Sequence, residues 1–218
     1  MYLAIFDLDN TLLTIDSDYE WGRFLVDKKL VDGENYELKN QRFYDAYKAG
    51  TLDIHEFLAF SLQPLTQFDQ QTLTKLHQEF MESRILPNIA VGTRELIEKH
   101  HNQGANLLVI TATNSFVTAP IAKTLGIPHL IATEPEIINK KYTGRVTGTP
   151  CFREGKVIRL QSWLAKNRQD LRDSWFYSDS HNDLPLLKLV DNPIAVDPDP
   201  ELKKHAQKHG WPVISLRQ

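Results

Sequence analysis

Tyr2-Leu3-Ala4-Ile5-Phe6-Asp7-Leu8-Asp9-Asn10-Thr11-Leu12-Leu13 runs from five apolar residues straight into two carboxylates. The apolar run is rich in strand formers and lacks an alternating polar face, which suits a strand buried on both sides of a parallel sheet. Ligands bind at the carboxyl ends of strands in open α/β sheets, so Asp7 and Asp9 are expected at the mouth of a site. Side chains at i and i+2 of an extended segment share a face, so both carboxylates can address one ligand while Leu8 points away. An isolated D-x-D also fits a solvated turn with a helix cap. The remainder of the chain decides between the two readings.

The 218 residues fit one large or two small domains. A composition of 41% hydrophobic and 24% charged residues is that of an ordinary globular protein and argues against disorder or a membrane protein. Net charge is −3 with no basic block, so a nucleic-acid partner has no electrostatic footprint. The single cysteine, Cys151, offers neither an internal disulfide nor a metal pair and reads as a small buried residue. The first apolar run meets Asp7 too soon for a signal-peptide core, and no apolar run approaches the length of about 18 that spans a membrane. The expectation is a cytoplasmic protein with no membrane attachment and no obligate protein partner.

Beyond Leu13 the apolar positions recur at helical spacing. Four helices are expected: residues 19–29, with caps among Asp16, Ser17 and Asp18; residues 34–49, ended by Gly50; one capped by Asp53 and broken near Pro64; and one starting at Asp69. Their aromatic residues read as core packing. Some seventy residues are too many for a structureless loop. Residues 14–85 are therefore expected to form a helical subdomain inserted after the first strand, with residues 1–13 and 86–218 as the core.

From Pro87 the pattern alternates. A helix over 93–103 precedes a strand, Asn106-Leu107-Leu108-Val109-Ile110, which ends in the hydroxyl-rich Thr111-Ala112-Thr113-Asn114-Ser115. Hydroxyls and N–H groups there can bind anionic oxygens, with Thr111 and Ala112 the candidates for phosphate. A helix over 117–125, a strand over 129–132 and a small hairpin over 141–148 follow. Gly155-Lys156 opens a helix whose buried face is expected to carry Val157, Ile158, Leu160, Trp163 and Leu164. Lys156 lies against the helix dipole, which hints at an anionic neighbour. Ser174–Tyr177 reads as a strand ending in Asp179-Ser180-His181-Asn182-Asp183. A strand over 193–196, a helix over 201–208 and Val213-Ile214 complete the chain. His205 and His209 have the spacing of a metal pair but lack an accompanying acid, and are read as surface residues.

Alternating strands and helices imply right-handed crossovers and a mostly parallel sheet. Three strands then end at Asp7/Asp9, Thr111 and Asp179/Asp183 on one edge. Converging carboxylates require a cation, and an all-oxygen set suits Mg²⁺ better than zinc. Asp7 is the natural nucleophile toward phosphorus, and Asp9 can protonate the leaving alkoxide and later deprotonate water. Thr111 and Lys156 would hold the phosphoryl oxygens. Asp179 would complete the metal site, with Asn182 and Asp183 behind it.

These residues resemble the haloacid dehalogenase superfamily, in its phosphatase branch. Its four signatures stand in order as Asp7-Leu8-Asp9-Asn10-Thr11, Thr111, Lys156, and Asp179 followed by Asp183, across nearly the whole chain. The resemblance implies a doubly wound parallel sheet with a helical cap, a metal ligand in the main-chain carbonyl of Asp9, and a small phosphorylated metabolite as substrate. Haloacid dehalogenases themselves lack an acid at the Asp9 position. The cap position, residues 143–148 and residues 180–183 are similar to the phosphoserine phosphatase subgroup. That subgroup uses a cap glutamate for the substrate amine and a cap arginine for its carboxylate. Asp16 falls roughly where the glutamate would stand, but residues 53–64 hold no arginine or lysine. A buried phosphoserine carboxylate would lack its partner, at a cost of several kcal/mol. An amine-bearing phosphomonoester without a carboxylate fits better, and bacterial relatives with the Asp16-Ser17-Asp18-Tyr19-x-Trp21 pattern are often assigned as histidinol-phosphate phosphatases. Ser178 departs from the glycine usual before Asp179. Asp16, Trp21, Arg145 and Arg153 are candidates for touching the leaving group. A phosphoserine phosphatase, a phosphotransferase or mutase, and a phospholigand-binding protein remain the alternatives.

Overall fold

The computed structural model describes residues 2–218. Its centre is a seven-stranded sheet in the order β4-β3-β2-β1-β5-β6-β7. The strands are β1 (Leu3–Phe6), β2 (Asn106–Asn114), β3 (His129–Ile138), β4 (Lys141–Thr147), β5 (Trp175–Ser178), β6 (Asn192–Val196) and β7 (Val213–Ile214). All neighbours are parallel except β3 and β4.

The order places β1 between β2 and β5, with Phe6 level with Val109 on one side and Tyr177 on the other. From β1 the chain winds toward β2 and later returns to β5, so strand order reverses at β1/β5. A crevice opens at the carboxyl ends of strands at such a reversal.

β1 is buried on both faces, as its unbroken apolar run requires. Ala4 and Phe6 join one side of the core with Leu96 and Ile97 of α5 (Thr93–Asn102) and Val117 and Ile121 of α6 (Ser115–Thr124). Leu3 and Ile5 join the other, with Leu160 of α7 (Glu154–Asn167), Leu186 and Leu187 of α8 (Leu184–Leu187), and Leu202 and Ala206 of α9 (Pro200–His209). The two-residue alternation of the strand thus distributes its side chains to two helical layers. This is the expected doubly wound α/β architecture.

Between β1 and α5 lie α1 (Ser17–Asp27), α2 (Gly33–Lys48), α3 (Ile54–Ser61) and α4 (Gln70–Phe80). Asp16, Asp53 and Asp69 cap α1, α3 and α4 by accepting backbone N–H groups with their side chains. Gln63–Gln67 is a 3₁₀ turn around Pro64, where α3 was expected to break. Trp21, Phe24, Leu58, Leu73 and Phe80 merge with the core on the α5/α6 side. None of the helices among the described residues is long and apolar enough to cross a membrane.

Three expectations are corrected. Residues 141–148 are not a self-contained hairpin: Lys141–Thr147 is one strand, paired antiparallel with the outer half of β3. The turn is Asn139-Lys140, both at positive φ, the conformation two-residue hairpin loops require. Ile158 is half exposed, because α7 turns Lys156 and Leu160 inward and leaves Ile158 outside. On α2 the aromatic residues are only half buried and Asn40 is the one buried residue; that face borders a cleft instead of a core.

Candidate active site

Asp7 follows β1 directly and its N–H donates to the Tyr177 carbonyl, extending the β1/β5 ladder by one bond. Its side chain is 5% exposed. The chain then curls: the N–H groups of Leu12 and Leu13 both donate to the Leu8 carbonyl, and Asn10 takes a left-handed φ of 56°. Asparagine tolerates that conformation better than most residues. The curl leaves Leu8 in the core and both aspartates in the crevice.

Lys156 Nζ stands 2.8 Å from Asp7 Oδ1 and contacts both oxygens of Asp183, at 2.7 and 2.8 Å. The placement of this lysine depends on Gly155. A Cβ on Gly155 would stand 2.0 Å from the Pro150 carbonyl oxygen, so only glycine lets the start of α7 approach so closely. Asp183 also accepts from the Ser178 hydroxyl at 2.7 Å, and that hydroxyl accepts the Ser180 N–H. The serine that replaces the usual glycine therefore pins the loop carrying Asp179.

Asp179 follows β5. Its N–H donates to Thr11 Oγ1 at 3.0 Å, and Thr11 Oγ1 donates to its carboxylate at 3.1 Å. Asp9 is oriented by the Ser17 N–H on Oδ1 and the Thr113 hydroxyl on Oδ2, both at 2.7 Å. Thr111 reaches the same Oδ2 at 3.4 Å. Asp7, Asp9, Thr111, Ala112, Lys156, Asp179 and Asp183 are thus gathered at one sheet edge.

Electrostatics at this edge are strained toward negative charge. Burial, opposed by Lys156 and reinforced by Asp183 and Asp9, pushes Asp7 up to about 7. Burial, then Asp7 and Asp183, hold Asp179 well above the usual carboxylate range. Burial would lower Lys156, but Asp183 and Asp7 keep its ammonium well above the ordinary lysine value. One lysine does not neutralise this group of carboxylates. Among the described residues no three His, Cys, Asp or Glu side chains cluster tightly enough to hold an ion. An ion held by two carboxylates and a main-chain carbonyl needs no such trio, since Mg²⁺ keeps several waters.

Above the edge lies a cleft bordered by both the sheet and the helical segment. Its floor includes Asp7, Asp9, Thr111, Ala112 and Thr113; α1 contributes Asp18 and Tyr19, preceded by Asp16; α2 contributes Asn40, Phe43, Tyr44 and Tyr47. Leu52, Ile54, Phe57 and Phe152 close it. None of the lining residues is lysine, arginine or histidine.

The four leaving-group candidates separate. Asp16 lines the cleft, but its Oδ1 is engaged by the Tyr19 N–H at 2.9 Å as the cap of α1. Trp21 is 2% exposed and packed among Phe24, His77, Phe80 and Phe116, so it is a core residue and not a cleft residue. Arg145 is outward on β4, paired with Glu136 and 71% exposed. Arg153 joins the two parts of the molecule: its guanidinium donates to the Gly50 carbonyl after α2 and to Asn182 Oδ1 at 3.0 Å. Asn182 in turn donates to the Tyr47 carbonyl at 3.1 Å, so its place beside Asp183 serves the same junction. The sequence reading missed Thr113, Asp18, Tyr44 and Tyr47 as site residues. Thr113 lay in the quoted hydroxyl run, whereas the other three show no signal that separates them from caps and core.

The haloacid dehalogenase-like hydrolase family matches residues 4–188. The chain is 45% identical over 219 aligned positions to the histidinol-phosphatase of Neisseria meningitidis serogroup C (strain 8013), covering 99% of each. A crystal structure of a protein of unknown function from Bordetella pertussis Tohama I superposes with a TM-score of 0.93 at 45% identity, covering 99% of this chain and 98% of that one. A phospho-aspartyl intermediate analogue of phosphoserine phosphatase shares the fold, with a TM-score of 0.72 at 20% identity over 100% of this chain and 93% of that one. By sequence and by fold, this chain belongs to the haloacid dehalogenase-like hydrolases.

Proposed function

We propose that this hydrolase is a Mg²⁺-dependent phosphomonoesterase that acts on a small phosphorylated metabolite through a phospho-Asp7 intermediate. The observation that carries the reading is the buried contact of Lys156 with Asp7 at the strand-order reversal, one strand from Thr111. A nucleophile, a cation for phosphoryl oxygens and a hydroxyl donor are thereby brought together at one sheet edge.

Asp7 attacks phosphorus; its carboxylate oxygen bonds to phosphorus as the ester P–O bond breaks. Asp9 gives its proton to the departing alkoxide. Water then attacks the acyl phosphate, Asp9 takes the water's proton, and phosphate leaves as the Asp7 carboxylate is restored. Thr111 Oγ1, the Ala112 N–H and Lys156 hold the three nonbridging oxygens as charge spreads over them. Ser17 and Thr113 keep Asp9 turned toward the reacting bond. The carboxylates of Asp7 and Asp179 and the main-chain carbonyl of Asp9 would hold Mg²⁺, with Asn182 and Asp183 as supports. When bound, the ion offsets the negative charge that Lys156 alone leaves uncompensated.

Residues 14–85 act as the cap over this chemistry, and the cleft beneath them selects the leaving group. The cleft's acidic and aromatic lining, with no basic side chain, fits a leaving group that carries a cation and a ring but no carboxylate. Histidinol phosphate has this character, and the similarity to a histidinol-phosphatase supports it as the substrate. A phosphoserine carboxylate finds no partner among the lining residues. The free Cys151 and a metabolite substrate fit a cytoplasmic enzyme.

The test is phosphate release from a panel of phosphorylated metabolites, including histidinol phosphate and phosphoserine, with and without Mg²⁺. Mg²⁺-dependent release that prefers histidinol phosphate, lost in a folded Asp7→Asn variant, is expected. Full activity of Asp7→Asn would overturn the mechanism.

A further inference from the structure

Asp18 is the second residue of α1 and is 7% exposed. It borders the cleft, yet its Oδ2 is buried without any hydrogen-bond partner. That is costly, because a buried polar atom with no partner loses its hydration for nothing in return. Its neighbours do not relieve it. Asp9 adds repulsion, Asn40 gives its side-chain N–H₂ to the Tyr19 carbonyl, and the lining contains no basic group. Asp16, one residue before the helix, spends an oxygen on capping, and the α1 dipole relieves the acids only in part. Tyr44 and Phe57 line the same cleft, and aromatic faces favour a cation.

We propose that Asp18 is the counter-ion for a positively charged leaving group, a protonated amine, and that this residue sets the cleft's substrate selectivity. The proposal rests on the phosphomonoesterase reading and deepens it. Phosphate binds at the sheet edge, the cation docks on Asp18, and the distance between the two sites selects a small, cationic ester. Burial and the Asp9 charge push Asp18 up to about 7, so a cation against it would restore the ionised carboxylate.

The experiment compares kcat/KM of the full chain with Mg²⁺ for histidinol phosphate, whose leaving group is cationic, and for 4-nitrophenyl phosphate, whose leaving group is not. In Asp18→Asn the ratio of the two values is expected to fall roughly 10- to 100-fold, the factor of one charge-assisted hydrogen bond, mainly through KM for histidinol phosphate. An unchanged ratio in the folded variant would overturn the assignment of Asp18 and leave the phosphatase reading standing. A second measurement needs no variant: histidinol is expected to inhibit wild-type hydrolysis of 4-nitrophenyl phosphate at least tenfold more strongly than its N-acetylated, neutral-amine form. Equal inhibition by the two would also overturn the proposal. A wild-type protein that releases phosphate from neither ester would overturn the phosphomonoesterase reading itself.

Discussion

The ammonium of Lys156 lies between Asp7 and Asp183, 2.8 Å from Asp7 Oδ1 and 2.7 Å from Asp183 Oδ1, with all three side chains almost wholly buried. The lysine opens α7, while the aspartates follow β1 and β5, so a single charge ties together three elements far apart in the chain.

Replacing Lys156 by methionine leaves two buried carboxylates facing each other. The expected loss of unfolding free energy is about 3–5 kcal/mol, the range for removing one partner of a buried ion pair. Denaturant unfolding of K156M checks it, and turnover is expected to vanish with the contact.

Gly155→Ala places a methyl against the Pro150 carbonyl and must move the start of α7. Displacing Lys156 by about 1 Å is expected to lower kcat roughly 100-fold. Steady-state kinetics of G155A test this, with far-UV circular dichroism showing that the fold is kept.

Gly50 has φ +68°, and a Cβ there would stand 2.8 Å from His181 Nε2 and 3.2 Å from the Arg153 guanidinium. The left-handed conformation alone costs an alanine about 1–2 kcal/mol. Gly50→Ala should therefore destabilise the protein by at least that amount. Arg153→Ala should raise hydrogen exchange at residues 47–52, where its contacts hold the end of α2.

His100 is buried between Tyr2 and Tyr177, accepting or donating at 2.9 and 2.8 Å. Burial, with Lys99 nearby, lowers it from 6.5 to about 4. The folded state therefore resists protonating it. Its contribution is complete above pH 6.5 and is lost as pH falls toward 4, with a slope of at most about 1.4 kcal/mol per pH unit. Unfolding free energies of wild type and His100→Gln across this window should diverge least at the acid end.

Asp18 shifts in the opposite sense. Its raised value means that the folded state favours the protonated form, so stability is lost as pH rises from 3.8 through about 7. Asp18→Asn should melt above wild type at pH 8, with the difference closing near pH 4.

The strand ends were legible because each apolar run stops at polar residues, and burial on both faces leaves such a run no other place in a sheet. Leu3–Phe6 before Asp7, Leu107–Ile110 before Thr111 and Phe176–Tyr177 before Asp179 therefore marked both the fold and the residues at its carboxyl edge. Helix caps such as Asp53 and Asp69 were equally plain, since a cap is a local hydrogen bond between a side chain and a nearby N–H. Trp21 and Tyr44 were not separable in this way: both are aromatic residues at helical spacing, yet one is sealed in the core and the other lines the cleft. Nor could sequence distinguish Asp16 from Asp18, two acids at the start of one helix. Which of them is spent as a cap and which remains unpartnered depends on how α1 leans over β1 and against α2. Arg153 likewise looked like a substrate residue until Gly50 and Asn182 were brought to it. The sequence by itself determined the sheet, its carboxyl edge and the residue types gathered there, because those follow from local periodicity and residue type. Tertiary structure alone decided which side chains line the cleft and how helical segment and sheet join, because both depend on the direction of side chains from elements distant in the chain.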